Sequence, residues 1–554
     1  MKIVNKFVIC WAIEEGFIMK RILSLVLAIT MVLSLLPSIA FAASSGVCGD
    51  NLTWTLTDAG VFTLSGTGDM AYYSYSKKPW GGLESKIKSI VIKSGVTSIA
   101  MSAFDYCTEV TSITLPSTLT AIGDYAFQGC SSLTAITIPK SVKTIGSMAF
   151  KDSDALTTIT LNEGLQTIGR NAFVGASITE ISIPSTVTRI GSAAFAYCYD
   201  IAKVKTPSIS AWMGITFDNE TANPLNKGAD LYIGGTLAKS ITVPSGIKAV
   251  GDYQFSGCRN ITSVKLHSAV KTIGECAFSD CAALSSVTIA SGTEEIGYGA
   301  FSNCDSIASI TIPKSVKTIG SYAFSGCDGL SGALSITDGI ENIGSAAFEG
   351  CTSITSVSIP KSVLQIGKNA FSRCSKLASI TVDSQNSAYC SDSGVLLDKD
   401  KSILLQCPTA KSASSYAIPE GVSEIGEMAF YDCRELSSII VPRSVTSIGN
   451  YAFGGYFNAM IYVCKDSFMH YYSGEHLLDF ALLTDNAKKG DVNRDGAVDI
   501  NDAELLYQHS MLPAQYAIDY AGAIDYTGDR KVDIKDALQL FQYSMLPEIY
   551  PIEE

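Results

Sequence analysis

The sequence is poor in charge and in histidine. Charged side chains make up 17% of its 554 residues, and lysine and arginine form no basic stripe. A protein that binds nucleic acid needs such a stripe to neutralise phosphates, so we expect no nucleic-acid partner. The four histidines are scattered, and no Ser-His-Asp or metal-ligand cluster stands out. The composition therefore argues against a nucleic-acid-binding protein and against a histidine-based catalytic centre.

Long apolar runs are absent after residue 42. The run before it, 22–36, follows the basic start Met19-Lys20-Arg21 and precedes the small-x-small motif Ala40-Phe41-Ala42. These are the parts of an export signal. We predict a signal peptide over residues 1–42, with Met1 or Met19 as its start, and a secreted protein without membrane contact after cleavage. An uncleaved membrane anchor is the alternative.

What the chain has in abundance is one phrase, Ile-Gly-x-x-Ala-Phe-x-x-Cys, which returns every 22 to 24 residues within each block. Its phenylalanines are Phe104, Phe127, Phe150, Phe173, Phe195, Phe255, Phe278, Phe301, Phe324, Phe348, Phe371, Phe430 and Phe453. A fixed period of this size predicts a solenoid, because one such unit cannot bury its own apolar face and must stack on a copy of itself. We expect about 13 rungs of ~23 residues, each with a short strand, such as the one that contains Ile136 and Ile138 and ends at Pro139.

Three stretches depart from this period. Residues 43–82 alternate apolar and polar side chains around a glycine turn, which predicts a β-hairpin cap on the first coil. Residues 206–240 predict a modified rung, and residues 382–415 predict an inserted hairpin. The expected solenoid therefore covers residues 83–485 with two interruptions.

Ten of the 16 cysteines follow the repeat phenylalanine by three residues. In two other repeats this slot holds Ser153 and Ala176. A slot that accepts Cys, Ser and Ala indicates a small side chain, and a free thiol behaves there as a small hydrophobe. Stacked rungs are close enough for a disulfide, but the side chains of a ladder point in parallel. We therefore favour buried free thiols.

Serine and threonine dominate the outward positions of the predicted sheet. They are Thr114, Thr137, Thr160, Ser182, Thr288, Thr311, Ser335, Ser358 and Thr381, with Lys205 and Lys265 in mid-chain. A hydroxyl ladder would hydrogen-bond a glycan or a peptide backbone, but threonine is also a good strand former that keeps a broad sheet soluble. Carbohydrate platforms normally present aromatic side chains, which this ladder lacks, so solubility is the favoured explanation.

The segment from residue 490 onward is acidic, with 13 acidic against 4 basic residues. It contains two loops with the ligand spacing of an EF-hand-type calcium site. The expected ligands are Asp491, Asn493, Asp495, the carbonyl of Ala497, Asp499 and Asp502 in the first loop, and Asp525, Thr527, Asp529, the carbonyl of Lys531, Asp533 and Asp536 in the second. We predict two Ca²⁺ ions, with weaker binding in the second loop, where Arg530 replaces the glycine of the turn.

Two family resemblances follow from these motifs. The repeat phrase resembles the BspA-type leucine-rich repeats of bacterial surface and secreted proteins over residues 47–485. This resemblance implies a curved leucine-rich-repeat β-solenoid, with a parallel sheet on one face, that binds an unknown protein or glycan. The paired calcium loops and helices resemble a type I dockerin over residues 490–547, within a small all-α domain expected at 490–554.

The dockerin resemblance implies a partner, the cohesin module of a scaffoldin in a cellulosome-type complex. The contacts that it implies are Ile500, Asn501, Tyr507 and Gln508 in the first half, and Ile534, Lys535, Phe541 and Gln542 in the second. The near-identity of the halves would allow two binding orientations. Tyr507 and Phe541 are equally compatible with a place in the core of the module. The whole module is also compatible with a calcium-stabilised terminal fold that serves no docking.

The favoured function is a secreted, non-catalytic binding or adhesion component of a polysaccharide-degrading complex, located at the cell surface or in the cellulosome. A carbohydrate-active enzyme is the alternative, because dockerins are most often carried by glycoside hydrolases. That chemistry needs two carboxylates fixed across a cleft, and no stretch longer than about 35 residues between cap and dockerin is free of the repeat. We therefore expect no enzyme. An inhibitor or adhesin unrelated to fibre is a third possibility.

Overall fold

The computed structural model describes residues 42–73, 77–411, 413, 415–483, 492, 498–511 and 534–545. Residues 1–41 of the expected signal peptide lie outside this part. The repeats form stacked coils, and a typical rung contributes one strand to each of two parallel ladders. We call these the broad ladder, with strands of three to six residues, and the narrow ladder, with strands of mostly two. Within the described residues no helix has the length and apolar character needed to cross a membrane.

The strands of both ladders recur at fixed positions of successive rungs. The broad ladder consists of Ser89–Ile92, Ser112–Thr114, Ala135–Ile138, Thr158–Leu161, Glu180–Ser182, Lys203–Thr206, Asp230–Ile233, Ser240–Thr242, Ser263–Lys265, Ser286–Thr288, Gly332–Ser335, Ile354–Ile359, Ser379–Val382, Ser415–Ala417, Ser438–Val441, Met460–Cys464 and Phe480–Leu483. The narrow ladder consists of Gly68–Asp69, Val96–Ile99, Ala121–Ile122, Thr144–Ile145, Thr167–Ile168, Arg189–Ile190, Thr216–Phe217, Ala249–Val250, Thr272–Ile273, Glu295–Ile296, Thr318–Ile319, Asn342–Ile343, Gln365–Ile366, Glu424–Ile425 and Ser447–Ile448.

Pairing within each ladder is parallel. Ile136 pairs with Ile159 in the broad ladder, and Ile145 pairs with Ile168 in the narrow one. Equivalent residues of neighbouring rungs therefore lie one above the other. The predicted parallel-sheet solenoid is confirmed, and the narrow ladder is a second sheet that the sequence pattern did not reveal.

The repeat phenylalanines form stacked columns in the core. Neighbouring rings lie 5.2 to 5.7 Å apart, centroid to centroid, with interplanar angles of 5 to 18°. At the N-terminal end Trp80 continues the column, 5.5 Å from Phe104. Burial of this apolar surface is the main stabilisation of each rung, and the regular ring spacing fixes the position of each rung on the next.

The repeat cysteines are buried and free, as expected. All fifteen described cysteines are unpaired thiols. The thiol of a typical rung donates a hydrogen bond to the backbone carbonyl of the phenylalanine in the preceding rung. Cys304, for example, donates to Phe278 at 3.0 Å. In the rung where serine replaces cysteine, Ser153 makes the same contact with Phe127 at 3.3 Å. The slot therefore selects for a small side chain that also satisfies a buried carbonyl.

The glycine of the repeat phrase is required by close approach between rungs. Gly146 does not have positive φ, so backbone freedom does not explain it. A methyl group added there would lie 2.5 Å from the backbone of Gly123 and Asp124. Any larger residue must push neighbouring rungs apart, because the two nearest atoms, Gly123 C and Asp124 N, belong to the main chain.

The N-terminal cap is an antiparallel meander of Ala42–Gly49, Leu52–Thr57 and Val61–Gly66. Its last strand pairs in parallel with Ser89–Ile92, the first strand of the broad ladder. Trp54 stacks on Phe62, with ring centroids 5.6 Å apart. The cap therefore covers the first strand of the broad ladder with paired strands and the first coil with aromatic rings.

Both interruptions have structures of their own. Residues 206–240 contain the helix α1 (Ile209–Met213), a 3-10 turn Glu220–Ala222 and the strand Thr236–Leu237, which pairs antiparallel with Asp230–Ile233. Residues 382–415 contain the antiparallel strands Tyr389–Asp392, Val395–Asp398 and Ile403–Gln406. A further 3-10 turn, Glu84–Lys86, precedes the first rung. The last described coil contains α2 (Phe468–Glu475) before the closing strand.

Candidate docking helices and calcium loops

The acidic tail contains two helices of equal length, α3 (Ile500–Met511) and α4 (Ile534–Met545), whose starts are 34 residues apart. The sequence Asp499-Ile500-Asn501-Asp502 explains where α3 begins. Asp499 accepts a hydrogen bond from the Asn501 amide at 2.8 Å, and Asp502 accepts one from the Asp499 amide at 2.8 Å. This is a reciprocal cap of the first turn. The same Asp-Ile-x-Asp pattern recurs at residues 533–536.

The two helices pack against each other through small and apolar side chains. Ala503 and Leu506 of α3 form one buried cluster with Ala537 and Leu540 of α4. Position by position, residues 500–508 and 534–542 have the same order of exposed, partly exposed and buried side chains. The duplication in sequence therefore corresponds to a duplication of environment.

Four of the eight predicted contact positions on these helices are exposed apolar or aromatic side chains. Ile500 and Ile534 are each 48% exposed, and the rings of Tyr507 and Phe541 are 48% and 44% exposed. Neither ring belongs to the buried cluster that the described residues of the two helices form. The other predicted contacts, Asn501, Lys535, Gln508 and Gln542, are exposed or partly exposed as well.

Leu538 is an exposed residue that the sequence interpretation missed. It is 57% exposed and lies one turn after Ile534 and one turn before Phe541. Its counterpart in α3 is Glu504, at the same offset of 34 residues. An aligned comparison of the two halves shows this difference, which makes the outward face of α4 more apolar than that of α3.

Three of the twelve expected calcium ligands are described. Asp499 is partly exposed, whereas Asp502 and Asp536 are fully buried at the starts of their helices. The other nine (Asp491, Asn493, Asp495, Ala497, Asp525, Thr527, Asp529, Lys531 and Asp533) lie outside the described residues. Within the described part no group of three or more His, Cys, Asp and Glu side chains could hold a metal ion.

The described carboxylates nevertheless fit a calcium site. A buried carboxylate must be hydrogen-bonded or paired with a cation, and Asp502 and Asp536, the last expected ligand of each loop, are both buried. The Asp499 amide fills one acceptor site of Asp502. Oxygen ligands alone make up the expected set, as Ca²⁺ prefers.

The broad ladder presents the expected hydroxyl surface. All nine of the expected outward serine and threonine residues are exposed, and all except Thr311 lie in strands of this ladder. Equivalent hydroxyl residues pair across rungs, as Thr137 does with Thr160 and Ser358 with Thr381. Lys205 forms an ion pair with Glu180 of the neighbouring strand. This face is polar and nearly neutral.

Comparison with known families agrees with this architecture. The family model described as BspA type Leucine rich repeat region matches residues 83–202, 234–333, 331–393 and 403–472, more than half of the chain. The chain belongs to the BspA-type leucine-rich repeat family. A second family model, the Dockerin type I domain, matches residues 489–543. No curated protein matches the chain.

Both domain types are non-catalytic and typical of extracellular proteins. Leucine-rich repeats of this kind suggest protein binding, whereas a type I dockerin implies binding to a cohesin and generally binds calcium. The chain therefore combines a leucine-rich repeat solenoid with a type I dockerin domain.

Several solved structures are similar to this chain. A leucine-rich repeat protein from Eubacterium ventriosum is 26% identical, with 74% of this chain and 95% of that chain covered and a TM-score of 0.40. One from Bacteroides ovatus is 24% identical, with coverage of 79% and 99% and a TM-score of 0.38. A leucine rich cell surface protein from Faecalibacterium prausnitzii is 22% identical, with coverage of 62% and 96% and a TM-score of 0.33. Because these scores are below 0.5, the family assignment depends on the family matches alone.

Proposed function

We propose that the protein is an exported, non-catalytic component of a cellulosome-type polysaccharide-degrading complex. In this proposal residues 1–42 direct export, residues 490–554 dock onto a cohesin module of a scaffoldin, and the solenoid of residues 83–485 presents a recognition surface. The repeated burial pattern of α3 and α4 carries the proposal. It leaves two apolar patches on a small calcium-loop module, where a protein partner would bury them.

Calcium would act in this proposal by ordering the loops that begin both helices. Asp502 and Asp536 would hold it from the first turn of each helix, together with the loop ligands named above. A bound cation also neutralises two buried carboxylates. Removal of calcium should therefore loosen the starts of α3 and α4, and the exposed residues Ile500 and Ile534 lie there.

The two docking faces are not equivalent. Docking through α4 would bury Ile534, Leu538 and Phe541, whereas docking through α3 would place Glu504 among the apolar contacts. Burial of an unpaired carboxylate costs free energy. We therefore expect the α4 face to be preferred, although the duplication permits two orientations.

The full secreted chain can be tested against a panel of cohesin modules, with calcium and with EDTA. We expect binding to one cohesin class in calcium and its loss in EDTA. Phe541→Ala should weaken binding about tenfold or more, and Leu538→Glu should weaken it more than Glu504→Leu does. Tyr72→Ala, a change of an exposed residue in the cap, is the matched control. Binding that survives EDTA, or no binding to any cohesin, would contradict the proposal.

A further inference from the structure

A cleft of about 440 Å³ crosses the rungs of Phe150, Phe173 and Phe195 where the regular repeat stops. The modified rung builds its far wall. Asn219 accepts a hydrogen bond from the Ala193 amide at 2.9 Å, and the Thr221 carbonyl accepts one from the Phe195 amide at 3.1 Å. The cleft therefore exists because a 3-10 turn replaces the ordinary turn of the next rung.

Two exposed tyrosines stand at this cleft. Tyr197 and Tyr199 are 65% and 66% exposed, and their ring centroids lie 6.1 Å apart at an interplanar angle of 66°. Tyr197 has a φ of 62° in a slot that holds glycine in several other rungs, such as Gly175 and Gly257. A bulky residue is strained in that conformation, and little packing compensates, because most of the ring faces solvent. Exposed aromatic faces in a cleft are typical of ligand contacts.

The two charged side chains that line the cleft are both positive. Lys151 and Lys227 line it together with Asn171 and Thr221, and no carboxylate does. Lys151 lies 3.4 Å from Asp152 in an exposed ion pair, which is a weak interaction that a ligand can displace. Lys227 is exposed and forms no ion pair with any described residue. Small side chains such as Ala196 leave room between these groups.

We propose that this cleft binds an oligosaccharide that carries uronate carboxylates. The apolar C–H face of a sugar ring would pack on Tyr197 or Tyr199, as flat apolar ligands pack on aromatic rings. Asn171 and Thr221 would hydrogen-bond hydroxyl groups, and the two lysines would pair with carboxylates. The inference rests on the proposed function in one respect, that the solenoid is the recognition part of the protein. It assigns that recognition to the cleft instead of the outward serine and threonine positions of the broad ladder, which offer hydroxyl groups and no aromatic ring.

Titration calorimetry of the full chain with hexagalacturonate, and with cellohexaose as the neutral counterpart, tests this assignment. We expect hexagalacturonate to bind and cellohexaose to bind more weakly. The double variant Tyr197→Gly/Tyr199→Ser should weaken hexagalacturonate binding about tenfold. Lys227→Met should weaken it about threefold or more while leaving cellohexaose binding unchanged. Lys227 is exposed, so this variant keeps the test valid even if the double variant unfolds.

Tyr106→Gly is the matched control, because Tyr106 occupies the slot of Tyr197 in another rung, with a φ of 55°. It should bind hexagalacturonate like the unchanged chain. The proposal is overturned if Tyr106→Gly loses as much hexagalacturonate affinity as the double variant does. It is also overturned if the double variant binds hexagalacturonate as tightly as the unchanged chain, or if the unchanged chain prefers cellohexaose. Cohesin binding, measured on the same samples, separates the two proposals: EDTA should abolish it and leave uronate binding intact. Failure of one measurement therefore does not imply failure of the other.

Discussion

At the scale of single residues, the cysteine slot combines small volume with a hydrogen-bond donor. The thiols of Cys281, Cys304 and Cys327 each lie 3.0 to 3.2 Å from a phenylalanine carbonyl of the preceding rung. Serine offers the same donor in a smaller side chain, whereas alanine offers none. This explains why serine and cysteine share the slot without any need for disulfides.

Substitution of Cys304 should separate these two properties. We expect Cys304→Ser to change the free energy of unfolding by less than about 1 kcal/mol, because the hydroxyl can still reach the Phe278 carbonyl. Cys304→Ala should cost about 1 to 2 kcal/mol through the lost donor and the small cavity. Cys304→Leu should cost about 2 kcal/mol or more by overpacking. Urea unfolding measures all three, and an alanine variant as stable as the serine variant would contradict the role of the donor.

At the scale of the rung, contacts between copies matter more than contacts within one copy. The phenylalanine column, the thiol-to-carbonyl bonds and the glycine contacts all join neighbouring rungs. Gly146 lies against the backbone of the preceding rung, whereas Gly246 has no atom within 4 Å of where a side chain would begin. The two glycines therefore offer a direct comparison of close approach with simple flexibility.

Gly146→Ala should destabilise the solenoid, because its methyl group would meet main-chain atoms at 2.5 Å and rungs would have to separate. We expect a loss of about 2 kcal/mol or more in thermal or urea unfolding. Gly246→Ala should be neutral or stabilising by about 0.5 kcal/mol, since alanine restricts the unfolded chain. Equal effects of both substitutions would show that the phrase uses glycine only for its backbone freedom.

The sequence predicted those features that depend on period alone. The 23-residue spacing of Phe278, Phe301 and Phe324 was sufficient to predict stacked rungs and a buried aromatic position in each. It did not predict the narrow ladder, because pairs such as Thr144-Ile145 are too short to show a strand pattern. Nor did it predict the continuation of the column by Trp80, or the cleft at Tyr197. Those depend on which residues meet across rungs at an irregular end or break. The docking faces were predicted from the dockerin resemblance, but Leu538 required the structure.

At the scale of the whole molecule, buried thiols recur in most rungs between Cys107 and Cys433. Burial raises the pKa of Cys107, Cys198, Cys327 and Cys374 to about 12, from an ordinary value of 9.0. Burial also raises the pKa of Tyr416. In each case the folded rod holds the neutral form, whereas the unfolded chain is free to ionise.

Stability should therefore fall in alkali. Above pH 9 the unfolded chain loses thiol protons that the folded rod keeps, so the free energy of unfolding decreases as pH rises toward 12. Each such thiol contributes a loss of up to about 1.4 kcal/mol per pH unit. Urea unfolding at pH 7, 8, 9, 10 and 11 in reducing buffer measures the effect. The free energy of unfolding should change little between pH 7 and 8, which serves as the reference. A midpoint that stays constant or rises above pH 9 would be inconsistent with uncharged thiols in the core.

The direction of the ladder hydrogen bonds has a mechanical consequence. In a parallel solenoid these bonds run along the stacking direction, because each strand pairs with its equivalent in the next rung. A force applied along that direction would act on the joints between coils in series. We expect the weakest joint to open first, so that the solenoid lengthens in steps.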